Sequence, residues 1–193
     1  ELPSLEIREL RSLLSLKRRL KKSEQSHKVR IRNHLIAQYF PEMDAYFGYS
    51  EGPAIVRWCL DPVELAELPF EEFVRMVLSV NGGVQQRRRL GEIHNKAASS
   101  IGCMPHPSVA FEAATLLEGL RQLHSSILEM DKKIAEVCRR FPEYPCLLSI
   151  PGFGPDSSAK VLGALGNPHR FENHRQVLKL AGLDLGAKVR GKN

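Results

Sequence analysis

The apolar positions of this chain fall almost everywhere at helical spacing. Leu10, Leu13, Leu16 and Leu20 form a first stripe, and Val29, Ile31, Leu35 and Ile36 resume it. Residues 5–40 therefore read as one long helix, which Pro41 ends. Residues 21–28 between the stripes are polar all round, so that stretch is solvated, covered by a partner or frayed. The cleanest period lies further on. Leu116, Leu120, Leu123, Ile127, Met130, Ile134, Val137 and Phe141 recur at alternating spacings of four and three, a heptad seam. A helix over residues 108–141 spans about 50 Å at about 1.5 Å per residue. Such a seam needs a second helix. The N-terminal helix of the same chain would make an antiparallel coiled coil; a second copy of the chain is the other candidate.

The stretch between the long helices reads as shorter pieces. Residues 41–60 look irregular, with Tyr46, Phe47, Tyr49 and Trp58 forming a small core; aromatic rings near basic residues can also stack on bases. Asp61-Pro62 has the form of an N-cap followed by a first helical residue, opening a helix over 63–68. Pro69 starts another through 80, which Asn81-Gly82-Gly83 stops. Residues 84–99 form a further helix that holds Gln85-Gln86-Arg87-Arg88-Arg89, and a proline-rich break covers 103–107. No strand pattern stands out.

The C-terminal part changes character. Pro142 and Pro145 bracket a linker, followed by helices near 146–150 and 156–165, a Gly166-Asn167-Pro168 turn, and a helix over 172–181 with Gly182 at its C-terminal cap. The expected fold is all-α: long antiparallel coiled-coil helices with a helical insert at about 50–107, then a helix-hairpin-helix module. This gives two regions, a helical linker region over 1–145 and the module over 146–193.

Between the two module helices lies Ile150-Pro151-Gly152-Phe153-Gly154-Pro155-Asp156. Gly152 and Gly154 permit positive φ and a close backbone approach. Pro155 suits a first helical position. The free N–H groups and positive dipole end of the helix would then lie beside the hairpin, where a phosphate can sit. The plain alternative is an αα-hairpin whose glycines only permit a turn.

Charge favours a polyanion. The net charge is +6, and residues 1–38 hold ten basic and four acidic side chains, a balance of +6 by themselves. The phosphate-contacting candidates are Gly152, Phe153, Gly154, Asp156, Ser157, Lys160, Arg170, Arg175 and Lys179 in the module, with Arg18, Arg19, Lys21 and Lys22 on the long helix. A solvated helix face is the alternative for each side chain. A nucleic acid is the expected partner.

Other chemistry is sparse. Cys59, Cys103, Cys138 and Cys146 form no CxxC pair, so neither a zinc site nor a disulfide framework is expected, and a reducing cytoplasm fits. No metal-ligand cluster, catalytic triad or phosphate-binding GxxxxGK[ST] loop is present. Asp44, Asp61, Asp131, Asp156 and Asp184 read as caps, turn residues or solvated positions, not as a converging metal site. No apolar run approaches the roughly 20 residues of a membrane span. The chain opens on a charged amphipathic pattern without an initiator Met, as a fragment or processed chain would.

The run LLSIPGFGPDSSAKVLGALGNPHRFENHRQVLKLAGLDL resembles the C-terminal domain of the DEDD-type insertion-sequence transposases of the IS-110/IS-116/IS-902 family. Four marks carry the resemblance in order. They are Ile150-Pro151-Gly152-Phe153-Gly154 for the family's "IPGIG" hairpin, Val161-Leu162-Gly163-Ala164-Leu165-Gly166 for its "LLAEIG" helix, the Arg170-Phe171 turn, and Ala181-Gly182-Leu183 for the closing "AGL". The basic N-terminal run, ELRSLLSLKRRLKKSEQSHKVRIRNHLIAQYFPEM, is similar to the stretch after the family's catalytic domain.

The resemblance implies a protein that cuts and rejoins DNA to move an insertion sequence. It implies an RNase-H-like domain upstream whose four acids bind magnesium; no metal or other cofactor is expected in the residues present. It implies a nucleophilic serine shortly after the "AGL" element, where residues 184–193 contain none, so no catalytic residue is assigned. It also implies DNA transposition in a bacterial or archaeal nucleoid and a structured guide-like RNA as a further partner; DNA is the partner it implies first, and the heptad seam points to a homo-oligomer through the coiled coil. A stand-alone helix-hairpin-helix DNA-binding module without recombinase activity is the alternative.

Overall fold

A computed structural model describes residues 3–58, 60–78 and 82–183, and it is all-α, with no strand among those residues. Helix α1 covers Leu5–Arg30 and runs without a break into a π-helical turn, Ile31–Ile36, and a last α-helical turn α2, Ala37–Tyr39. The expected long helix is therefore continuous, including its polar middle. The π turn adds a residue to one turn and rotates the next turn of helix about the axis. Ile31, Leu35, Ile36, Tyr39 and Phe40 are all buried as a result, whereas Val29, expected on the same stripe, lies outside. Leu16, expected on the first stripe, is also exposed; the buried face there starts from Ile7 and Leu10.

A 3-10 segment, Pro41–Tyr46, leads to α3, Gly52–Trp58. The stretch expected to be irregular is thus mostly helical. A Gly-Pro pair at its start reads as a breaker in sequence, but proline has no N–H to lose in a first turn. The aromatic cluster splits: Phe47 is buried and Tyr46 partly so, while Tyr49 and Trp58 stand out at 48% and 52% exposure. Helix α4, Pro62–Glu67, is capped as expected, Asp61 Oδ1 accepting from the N–H groups of Val63 at 3.0 Å and Glu64 at 3.3 Å. Helices α5, Phe70–Val77, and α6, Val84–Ala97, come next. Helix α7 covers Ser108–Cys138.

The chain forms two compact units, one from residues 1–18 with 128–193, the other from 19–127. The second has the larger core. Phe40, Phe73, Leu90, Ile93, Ile55 and Val109 are fully buried there, with Leu35 and Met43. Within it α1 and α7 run antiparallel, His27 lying against Gly119 and Glu24 facing His124 at 3.7 Å.

The first unit contains the start of α1, the end of α7 and the C-terminal helices. Here too the pair is antiparallel: Lys17 Nζ lies 2.5 Å from Asp131 and Arg140 lies 3.2 Å from Glu9. The seam residues Met130, Ile134 and Val137 are buried, as are Ile7 and Leu10. Helix α8, Glu143–Leu148, occupies what was expected to be a proline-bracketed linker, with Pro142 as its N-cap and Pro145 in its first turn, where its missing N–H costs nothing. Helices α9, Pro155–Leu165, and α10, His174–Leu180, complete the unit. Asn173 caps α10 through Gln176 N–H at 3.2 Å, and Gly182 closes it at φ +73°, as its position in sequence predicts.

Candidate nucleic-acid interface

Helices α8 and α9 pack together and are joined by a tight turn. Phe153 N–H bonds to Ile150 O at 3.0 Å, closing a four-residue turn with Pro151 second and Gly152 third. Gly152 has φ +85°, so the pair has the Pro-Gly arrangement of a type II turn. An L side chain there would be strained. Gly154 is different from what its motif suggests: it adopts φ −86° and ψ 177°, an extended conformation open to any residue, and an added Cβ would meet nothing within 4 Å.

Gly154 is the N-cap of α9, Pro155 its first residue, and no side chain caps it. The first intrahelical bond runs from Ser158 N–H to Gly154 O at 3.0 Å. The main-chain N–H groups of Asp156 and Ser157 precede that bond, and both residues are exposed. The second glycine therefore adds no Cβ at the entrance to the helix, and it does not form the turn.

Asp156 stands at the same end. Its carboxylate pairs with Lys160 at 2.6 Å and with Lys17 of α1. The bond from Lys160, then that from Lys17, holds its carboxyl below the ordinary range. Lys17 itself is only 13% exposed; burial would lower its pKa, but the bonds to Asp131 and Asp156 outweigh that and raise it. Sequence reasoning missed Lys17, since nothing local marks it among its basic neighbours.

The other candidates disperse. Gly152, Phe153, Gly154, Asp156, Ser157 and Lys160 come together at the hairpin. Phe153 is half-buried. Arg170 lies over its neighbour Phe171 at 4.6 Å. Arg175 and Lys179 are exposed on α10. Arg18 is exposed on the part of α1 that belongs to the same unit. Arg19, Lys21 and Lys22 are exposed but belong to the other unit, where Lys21 lies 3.7 Å from Glu24. The serine-free residues 184–193 are outside the described part of the chain.

Charge is divided unevenly between the two units. Residues 1–18 and 128–193 hold fifteen basic and ten acidic side chains, and residues 19–127 hold thirteen and twelve. The surplus of basic groups thus belongs almost wholly to the unit with the hairpin.

Among the described residues, no three His, Cys, Asp or Glu side chains come together as a donor set for a metal ion. Asp61 is a cap, Asp44 is held by Arg32 at 2.6 Å, and Asp131 is paired with Lys17. Cys103, Cys138 and Cys146 are free thiols, and burial pushes the Cys138 thiol above its ordinary value. No described helix is long and apolar enough to cross a membrane.

No curated protein matches the chain, and no solved structure does. A family model does match, over residues 144–192, and its description is transposase IS116/IS110/IS902 family. The matched segment starts in α8 and takes in the turn, α9 and α10. Over residues 144–192, about a quarter of its length, the chain is similar to the transposase IS116/IS110/IS902 family.

Proposed function

We propose that the α8–α9 hairpin grips the sugar-phosphate backbone of duplex DNA and so holds this chain to its substrate in DNA transposition. The family match supports the role in transposition. The uncapped, exposed entrance of α9 supports the grip: two free main-chain N–H groups, a glycine without a Cβ, and the unit with the basic surplus stand together. A phosphate oxygen accepts from the Asp156 and Ser157 N–H groups. Lys160 and the α10 residues Arg175 and Lys179 neutralise flanking phosphates. Because main-chain donors read no base edges, binding is nearly independent of sequence.

Duplex affinity measured by fluorescence anisotropy across a salt series tests this. The logarithm of affinity is expected to fall with log salt at about −0.9 per phosphate neutralised, hence near −3 for three cations. Arg175→Ala and Lys179→Ala each reduce that slope by about 1. Gly154→Ala is the decisive variant. The structure has room for its methyl group, so helicity is retained, and duplex affinity falls about tenfold because a phosphate no longer reaches the N–H groups. Parental affinity in a folded Gly154→Ala protein excludes the hairpin as the contact.

A further inference from the structure

The second unit carries an aromatic and cationic face that the hairpin reading leaves unused. Trp58 ends α3 and is 52% exposed, with the Arg57 guanidinium over its ring at 5.0 Å. Both residues line a cleft of about 510 Å³, together with Arg121 of α7. A neighbouring cleft of about 630 Å³ shares its Pro53 and Leu117 walls and Arg121, so the two adjoin. Tyr49 lines that second cleft, 48% exposed, with Arg89 over its ring at 4.2 Å. Glu118 holds Arg121 by two bonds, at 2.7 and 2.8 Å, and lines the same cleft as Arg57, whose charge also acts on it.

A large ring left half in water beside an apolar wall, with a guanidinium stacked on it, suits a second flat π-system. The unit's nearly balanced charge is poorly suited to tracking duplex phosphates, where binding comes from neutralisation. Stacking must then supply the affinity, and only unpaired bases offer their faces.

We propose that the Tyr49–Trp58 face of residues 19–127 binds single-stranded DNA, its bases stacking on Trp58 and Tyr49 and a phosphate pairing with Arg57. The choice of DNA rests on the transposition reading; the stacking surface itself does not depend on the hairpin.

Trp58 is the chain's one tryptophan, so its emission reports on this face alone. Titrating the full chain with a fifteen-nucleotide thymidine oligomer is expected to quench that emission saturably. By anisotropy of the dye-labelled oligomer, Trp58→Ala and Tyr49→Ala each weaken binding about tenfold, and Trp58→Phe restores most of it. Gly154→Ala leaves the quenching unchanged, which separates this face from the hairpin. The proposal is overturned if the oligomer binds without quenching, or if Trp58→Ala binds it at parental affinity. Quenching by a uridine RNA oligomer but not by the DNA oligomer overturns the assignment to DNA.

Discussion

Arg11 donates from Nε to the main-chain oxygen of Gly163 at 2.7 Å, at the last turn of α9. Its Nη2 lies 3.5 Å from the oxygen of Ala164. The last carbonyls of a helix have no intrahelical partner and carry the negative end of its dipole, so a guanidinium there serves both needs. Small size at Gly163 permits the approach: a Cβ there would come within 2.8 Å of Leu14 Cδ1. The start of α1 thus fastens the far end of the helix whose near end forms the candidate phosphate site.

Arg11→Ala is expected to destabilise the protein by about 1 kcal/mol, the value of one charge-assisted bond at a partly exposed position. Arg11→Lys recovers part of that, since an ammonium lacks the forked donor pair. Urea unfolding monitored by circular dichroism measures both, and an unchanged midpoint in Arg11→Ala would show that the contact adds nothing.

The two hairpin glycines separate by stability. Gly152→Ala places a side chain at φ +85° and is expected to cost about 1–2 kcal/mol. Gly154→Ala, at φ −86° with open space around it, stays within about 0.5 kcal/mol of the parent. Thermal melts decide; equal losses in the two variants would contradict the turn geometry.

Lys17, Asp131 and Asp156 give a pH dependence with a definite sign. Asp156 is held below its ordinary pKa of 3.8, so its contribution is present above that pH and is lost as pH falls through the folded value. Lys17 is held above 10.5, so its contribution is present below that pH and is lost as pH rises through the folded value. Lys17→Met is expected to cost about 1 kcal/mol between roughly pH 5 and 9, because both carboxylates remain half in water. NMR titration of Asp156 in this variant should show its carboxyl moving up toward the ordinary value. A titration midpoint identical to the parent's would rule out the pairing.

Glu51 is 2% exposed and pairs with Arg89, with Ser50 Oγ donating to it at 2.9 Å. Burial raises its carboxyl, but the bonds from Arg89, its own main chain and Ser50 together outweigh that and hold it below its ordinary value. Arg89→Ala strands a buried carboxylate and is expected to cost about 3 kcal/mol near neutral pH. The loss shrinks in acid, where protonation relieves the stranded charge. Denaturant unfolding at two pH values tests this; a cost that did not change with pH would mean that packing, not charge, is at work.

Gly102 lies where a Cβ would come 2.0 Å from the main-chain oxygen of Tyr39, and Cys103 N–H bonds Gln38 O at 2.9 Å beside it. Main chain cannot yield as a side chain does, so Gly102→Ala is expected to cost about 2 kcal/mol through overpacking. A melting temperature equal to the parent's would show that the loop gives way.

What the sequence determined by itself is the local structure. The period of its leucines makes α1 and α7 helical, Asp61-Pro62 and Gly182 set helix ends, and Pro151-Gly152 sets the turn, because each effect acts within a few residues. The all-α class and the likeness of residues 144–192 to the transposase family model were legible for the same reason. Short helices hidden behind prolines were not: α3 and α8 owe their stability to what they pack against, as with Ile55, Val56 and Tyr144, and too little to their own pattern. Tertiary structure alone decided that Lys17 joins Asp131 to Asp156, that Arg11 reaches Gly163 across 152 residues of chain, and that Gly154 needs no positive φ. It also left Trp58 in water, although an aromatic in a sparse sequence reads as core. Pairings between distant residues depend on which helix faces meet, and one-dimensional spacing carries no term for that.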